Sequence, residues 1–176
     1  MKIAIGADHR GNDVGKRVMA MLVEEGHQVE ATVDCGDRSC DYPDVAYDVS
    51  RRVAAGEADL GVLVCGSGIG MSIAANKVTG VRAALVHDEV GAEQARSHAD
   101  ANVLCLPADL LGMRLIERVV MVWLSAEFAG GRHRRRVDKI TAIERGDHAV
   151  GEAKRPGAAV RVEPGGEPGA SASPAA

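Results

Sequence analysis

Aromatic residues are scarce in this sequence, with one Phe, one Trp and two Tyr among 176 residues. The chain therefore offers no platform on which nucleobases could stack, and its core must be built from aliphatic side chains. No apolar run approaches the roughly 20 residues of a transmembrane helix. The net charge of -4 exerts no general pull toward polyanions. We expect neither nucleic acid nor membrane as a partner.

The cysteines also lack the spacing of a metal site. Cys35, Cys40, Cys65 and Cys105 form no C-x-x-C pair and have no clustered histidine partner, which argues against zinc. The N-terminal residues enter an apolar run directly, without a signal-peptide pattern. We therefore expect a cytoplasmic protein with reduced thiols, including those of the 35–40 loop, and without a zinc site.

Apolar runs and helical patterns alternate along the chain. Strands are predicted over residues 2–7, 27–33, 60–64, 81–86 and 103–106. A helix follows each strand, the longest from about 109 to 128, and a further C-terminal helix spans roughly 132–145. Nearly continuous apolar strands separated by helices predict a five-stranded parallel sheet with helices on both faces, a three-layer αβα domain.

The last thirty residues differ from the rest. Residues 147–176 contain four of the six prolines, and more than half of them are Gly, Ala or Pro. Such a composition without apolar periodicity predicts a disordered tail after a single domain of residues 1–146.

One glycine-rich turn carries the strongest chemical signal. Directly after the third strand, the sequence places Cys65 before glycines at 66, 68 and 70 and then a helix. A thiol beside a helix start lies in positive potential, which favours the thiolate, and glycine-turn N–H groups form a nest for an anion. A base beside such a nest suits proton removal next to a carbonyl, with stabilisation of the enediolate. The alternatives are a phosphate-binding turn without catalysis and a buried structural cysteine. Met71 stands where a dinucleotide fingerprint needs its third glycine.

Other candidate residues lie near predicted strand ends and in the last helix. Asp8 and His9 follow the first strand, where ligands bind in open parallel sheets, although a plain turn is the alternative. His98 closes a helix just before the fifth strand, as a site residue or as a surface histidine. Arg132 and Arg136 are four residues apart and suit a phosphate, or belong to a solvated basic face or a patch for acidic partners.

These motifs together resemble the type B ribose-5-phosphate isomerase family, which also contains galactose-6-phosphate isomerase subunits. The resemblance covers residues 2 to about 145 in the family's order and spacing. The motifs are Gly6-Ala-Asp-His9, Asp41-Tyr-Pro43, the 65–77 segment, Gly80-Val-Arg-Ala-Ala84, His98-x-Asp-x-Asn-Val-Leu104 and Gly130-Gly-Arg-His-x-x-Arg-Val137.

The resemblance implies a Rossmann-like aldose–ketose isomerase that interconverts ribose 5-phosphate and ribulose 5-phosphate without a metal or other cofactor. It implies a homodimer or a dimer of dimers with shared active sites. Cys65 would be the base that moves the proton between C1 and C2, with Ser67 near the thiol, and His98 would open the sugar ring. Substrate contacts would come from the remaining positions that match the family motifs, which are Asp8, His9, Gly66, Ser67, Gly68, Ile69, Gly70, Arg132 and Arg136.

Four positions separate this chain from parts of the family pattern. Met71 stands where some members have a catalytic Glu, which places this chain with the cysteine type. Ala99 replaces an Asn, Val90 replaces an aromatic, and Asp109 replaces an Arg that helps to bind phosphate. Asp109 would then repel the phosphate or simply cap the long helix. The alternatives are the same reaction on a hexose phosphate, a tetrose phosphate or a free allose-type sugar, or a non-catalytic sensor or inactive subunit.

Overall fold

The strands form where the apolar runs predict them. The structure, a computed structural model, describes residues 1–32 and 39–147. It confirms the αβα architecture, with five strands and six helices in that part of the chain. In chain order they are β1 Lys2–Ala7, α1 Asn12–Glu24, β2 Gln28–Ala31, α2 Tyr42–Ala54, β3 Leu60–Cys65, α3 Ile69–Ala75, β4 Ala83–Leu85, α4 Glu89–Ser97, β5 Val103–Pro107, α5 Met113–Ser125 and α6 Gly131–Glu144.

The sheet is parallel throughout, in the order β2-β1-β3-β5-β4. Strand β3 is central, and all six of its residues are buried, as expected for a strand covered on both faces. Its register pairs Val64 with Ala7 of β1, and Cys65 with Pro107 of β5. The carboxyl ends of β1, β3 and β5 therefore lie side by side.

Alternate side chains of β3 divide the core into two layers. Val62 and Val64 pack with α1, α4 and α5, in a layer that contains Trp123 as its one aromatic residue. Leu63 and Cys65 point to the other face, where they pack with α2 and α3. The core is otherwise aliphatic, as the composition predicts.

Strand β4 is shorter than the predicted 81–86 run because side-chain amides take over its first backbone bonds. The N–H of Arg82 donates to Oδ1 of Asn102 at 2.8 Å, and the N–H of Ala83 donates to Oδ1 of Asn76 at 2.9 Å. Periodicity cannot reveal such a replacement, because both amides belong to other segments.

Helix α5 begins later than predicted, and this changes the interpretation of Asp109. The helix starts at Met113 with Gly112 as its N-cap, so Asp109 lies in the preceding turn. The prediction that Asp109 caps the long helix is therefore wrong. Its side chain instead forms an ion pair with Arg10, a contact across the sheet that a local pattern cannot show.

Two further expectations concern the loop thiols and the C-terminal tail. Cys40 is disulfide-bonded, so the expectation of a reduced thiol is wrong there; a composition argument treats all thiols alike, whereas pairing depends on backbone position. Cys35 and the predicted tail beyond Asp147 lie outside the described residues. Across residues 1–32 and 39–147, no helix has both the length and the apolar character needed to cross a membrane.

Candidate active site

An open cavity of about 540 Å³ lies at the carboxyl ends of β1, β3 and β5. Ligands bind at this edge in parallel α/β sheets. Its walls come from the turns after all three strands, together with the first turns of α2 and α3. The residues that line it are Asp8, Arg10, Tyr42, Cys65, Gly66, Ser67, Ile69, Gly70, Ile73 and Asp109.

The thiol of Cys65 sits at the floor of this cavity. Its Sγ accepts a hydrogen bond from the N–H of Gly68 at 3.1 Å, and the residue is only 4% exposed. On the neighbouring strand, burial of Cys105, and to a lesser extent the nearby Cys65, raises the pKa of the Cys105 thiol, so that it stays protonated.

The glycine turn lets the chain reverse direction immediately after Cys65. Gly68 has φ of +72°, in the left-handed region, and a Cβ there would collide with the side chain of Leu85. Two N–H groups of the turn are already engaged, because Gly68 donates to Sγ of Cys65 and Ile69 donates to Oγ of Ser67 at 3.4 Å. A wider anion nest over residues 66–70 stays a prediction.

Asp8 shapes the turn after β1 while lining the cavity. It is 5% exposed, and its Oδ1 accepts hydrogen bonds from the N–H groups of Arg10 and Gly11, both at 2.9 Å. One carboxylate oxygen of Asp8 therefore stabilises the turn, as the alternative of a plain turn predicted. His9 is exposed and does not line the cavity; its Nδ1 lies 3.4 Å from the carbonyl oxygen of Cys40.

Arg10 and Tyr42 line the cavity but were not among the predicted site residues. Nε and Nη2 of Arg10 both donate to Oδ2 of Asp109, at 2.9 and 2.6 Å. This bond and the Asp109 charge raise the pKa of the guanidinium further above its ordinary value. The ring of Tyr42 covers Gly70, and a Cβ placed on Gly70 would lie 2.6 Å from Cζ of Tyr42. The motif Asp41-Tyr-Pro43 was a signal for Tyr42, whereas nothing local links Arg10 to Asp109.

The residues predicted to open the sugar ring and to bind the phosphate, which are His98, Arg132 and Arg136, lie at the end of the sheet opposite the cavity. His98 follows α4 and precedes the amino end of β5, whereas Cys65 is paired with the carboxyl end of that strand. The four steps from Val103 to Pro107 span about 13 Å at about 3.3 Å a residue. Within one chain the structure therefore does not bring His98 to the thiol.

His98 instead forms a cluster with the start of α6. The N–H of Ala129 donates to the carbonyl of Ser97 at 3.0 Å, which anchors the preceding segment to the end of α4. The rings of His98 and His133 stack, with centroids 4.2 Å apart and planes within 7°. Nε of Arg132 donates to Nε2 of His133 at 3.2 Å, so this nitrogen acts as an acceptor.

The surroundings of His133 disfavour its protonation. Burial is the largest cause of its lowered pKa, and electrostatic interactions with His98, Arg132 and Arg136 lower the pKa further. Arg132 and Arg136 themselves are exposed, on successive turns of α6. Guanidinium groups in this arrangement suit a phosphate.

Fold and site together define a class of protein. A parallel α/β domain with a thiol at the end of its central strand, in an open cavity beside a glycine turn, is typical of enzymes that act on small polar substrates.

Comparison with known proteins gives the family. The chain belongs to the ribose/galactose isomerase family, whose model matches residues 3–140. The chain is 43% identical to ribose-5-phosphate isomerase B of Escherichia coli over 81% of its own length and 96% of that protein. It is 40% identical to D-erythrulose-4-phosphate isomerase of Pectobacterium atrosepticum over 82% of its own length and 95% of that protein.

Solved structures agree with this assignment. Ribose-5-phosphate isomerase B of Clostridium thermocellum superimposes with a TM-score of 0.82 at 44% identity, over 83% of this chain and 99% of that one. The predictions of family, fold and isomerase activity are confirmed, while the roles of individual residues stay predictions.

Proposed function

We propose that this enzyme interconverts ribose 5-phosphate and ribulose 5-phosphate through a cis-enediolate. The observation that carries this assignment is the thiol of Cys65, held by the N–H of Gly68 in the cavity at the end of β3. Membership of an isomerase family and the likeness to proteins named ribose-5-phosphate isomerase B support it.

In this mechanism the Cys65 thiolate removes the proton from C2 of the open-chain aldose. The carbon–hydrogen electrons form the C1–C2 double bond, and the carbonyl oxygen becomes the enediolate oxygen. A proton then passes from the C2 hydroxyl to the C1 oxygen, and return of the carbon-bound proton to C1 leaves the C2 carbonyl of the ketose. Those N–H groups of residues 66–70 that are not bonded within the turn would stabilise the developing negative charge, with Ser67 beside the thiol, because donors aimed at a developing oxyanion lower the barrier.

We further propose that each active site is shared between two copies of the chain. His98, Arg132 and Arg136 lie at the sheet edge opposite Cys65, so a substrate held by the thiol of one copy needs those residues from another. A homodimer or a dimer of dimers satisfies this requirement. His98 would then open the furanose ring, the two arginines would hold the phosphate, and Asp8 and His9 would contact the sugar.

A second candidate is the same reaction on a tetrose phosphate. It is favoured by the likeness to an erythrulose-phosphate isomerase and by the changes at Ala99 and Asp109, both near predicted substrate positions. The reacting end of the molecule would be treated identically in both cases.

The test is an assay of the purified chain against ribose 5-phosphate, erythrose 4-phosphate, galactose 6-phosphate and free allose. We expect ribose 5-phosphate to give the highest kcat/KM, with deuterium from D2O entering C2 of recovered aldose. Cys65→Ala should lower kcat by about 100- to 10,000-fold, the usual range for a general base. Cys105→Ala is the matched control and should keep its kcat. Activity retained in Cys65→Ala would contradict the role of the thiol.

A further inference from the structure

The ion pair between Arg10 and Asp109 bridges two strand ends across a third. Arg10 follows β1 and Asp109 follows β5, and β3 with Cys65 lies between them. Both residues are fixed through their backbones: the N–H of Arg10 donates to Asp8 at 2.9 Å, and the N–H of Asp109 donates to the carbonyl of Gly66 at 3.0 Å.

The pair rests directly on the backbone next to the proposed base. A Cβ placed on Gly66 would lie 2.6 Å from Oδ2 of Asp109 and 2.8 Å from Nε of Arg10. Arg10 is the only cationic side chain among the described residues that line the cavity. Within one chain, Arg10 is therefore the cation that this cavity offers to an anionic group of a ligand.

The ion pair is open enough to take part in binding. The side chains of Arg10 and Asp109 are 61% and 40% exposed, and exposed pairs contribute little to stability. Asp109 engages two of the five N–H donors of the guanidinium. The remaining donors belong to the planar fork that suits phosphate.

We propose that Arg10 is a phosphate-binding, specificity-determining residue of the Cys65 cavity, and that Asp109 positions its guanidinium over Gly66. This inference rests on the proposed function, because it assigns the charged end of that substrate a ligand from the Cys65-bearing copy. Asp109 thus does not face the phosphate as an uncompensated negative charge. It holds the cation in place.

Protection of Cys65 from alkylation tests this assignment without requiring turnover. The intact chain is treated with iodoacetamide at increasing inorganic phosphate, with chloride at matched ionic strength as reference, and labelling of Cys65 is followed by mass spectrometry. We expect phosphate to protect Cys65 saturably. Arg10→Gln should raise the half-protecting concentration about 10-fold or more, because it loses charge-assisted hydrogen bonds. Arg10→Lys should recover part of the loss. Asp109→Asn should also raise the half-protecting concentration, though less than Arg10→Gln, because the guanidinium is no longer held over Gly66.

The matched control is Arg17→Gln, which removes an exposed arginine of α1 that does not line the cavity. Phosphate should protect Cys65 of this variant at the same half-protecting concentration as in the wild type. Absence of phosphate protection in the wild type, or equal protection in Arg10→Gln, would overturn the assignment.

Steady-state kinetics separate this inference from the proposed function. With ribose 5-phosphate, Arg10→Gln should raise KM with little change in kcat, because binding of the phosphate is lost equally from the ground state and the transition state. An isomerase whose KM is unaffected by Arg10→Gln would refute the role of Arg10 alone. An inactive wild type whose phosphate protection depends on Arg10 would refute the proposed function alone.

Discussion

The separation of Cys65 from His98 within one chain predicts that two inactive variants complement each other in a mixed dimer. Cys65→Ala and His98→Asn should each inactivate the enzyme when present in every copy. In a mixed dimer, one site would combine both substituted residues, and the other would combine an intact Cys65 with an intact His98. Because the two residues lie at opposite edges of the sheet within a chain, mixing two inactive proteins should restore activity.

The expected yield follows from counting sites. Random exchange of equal amounts makes half of the dimers mixed, and each mixed dimer has one intact site of two, so about 25% of wild-type activity should appear. Purified mixed dimers, isolated with two different affinity tags, should show about half of wild-type activity per dimer. The assay is ribulose 5-phosphate formation after subunit exchange by co-expression.

A reversed experiment supplies the control. Wild-type chains exchanged with the double variant Cys65→Ala/His98→Asn should keep about 25% of wild-type activity when sites are shared, and about 50% when each chain holds a complete site. Inactive mixed dimers in the first experiment, together with the 50% result in the second, would refute the shared site.

Two further predictions concern stability. Gly11→Ala should destabilise the fold by about 3 kcal/mol, because its Cβ would meet the carbonyl group of Val64 in the sheet backbone, whereas Gly66→Ala should cost about 1 kcal/mol or less because it displaces only exposed side-chain ends. Urea unfolding measures both losses of stability, and equal losses would contradict this reasoning. The pKa of His133 is lowered in the folded state, so the unfolded chain binds more protons and stability should fall as the pH drops below the ordinary histidine value of 6.5. His133→Asn should reduce that slope in unfolding experiments at pH 5 to 7, and an unchanged slope would assign the pH dependence to other groups.

Local sequence determined the elements of this protein and the chemistry at one of its strand ends. The apolar run of residues 60–64 folds as the central strand because aliphatic residues on both faces of a strand demand burial on both faces. The glycines at 66, 68 and 70 make the turn after it, because only glycine adopts the positive φ of Gly68 without strain. The thiol at its start was therefore predictable from neighbouring residues alone.

Tertiary structure decided which of the candidate residues meet. Asp8 and Cys65 share a cavity because β1 and β3 are neighbours in the sheet, and His98 is excluded from it because α4 returns the chain to the amino edge before β5. Periodicity repeats over a few residues and contains no information on strand order. The pairing of Arg10 with Asp109, 99 residues apart, arises only when β1 and β5 flank β3, which converts an apparent repulsive charge into one partner of an ion pair.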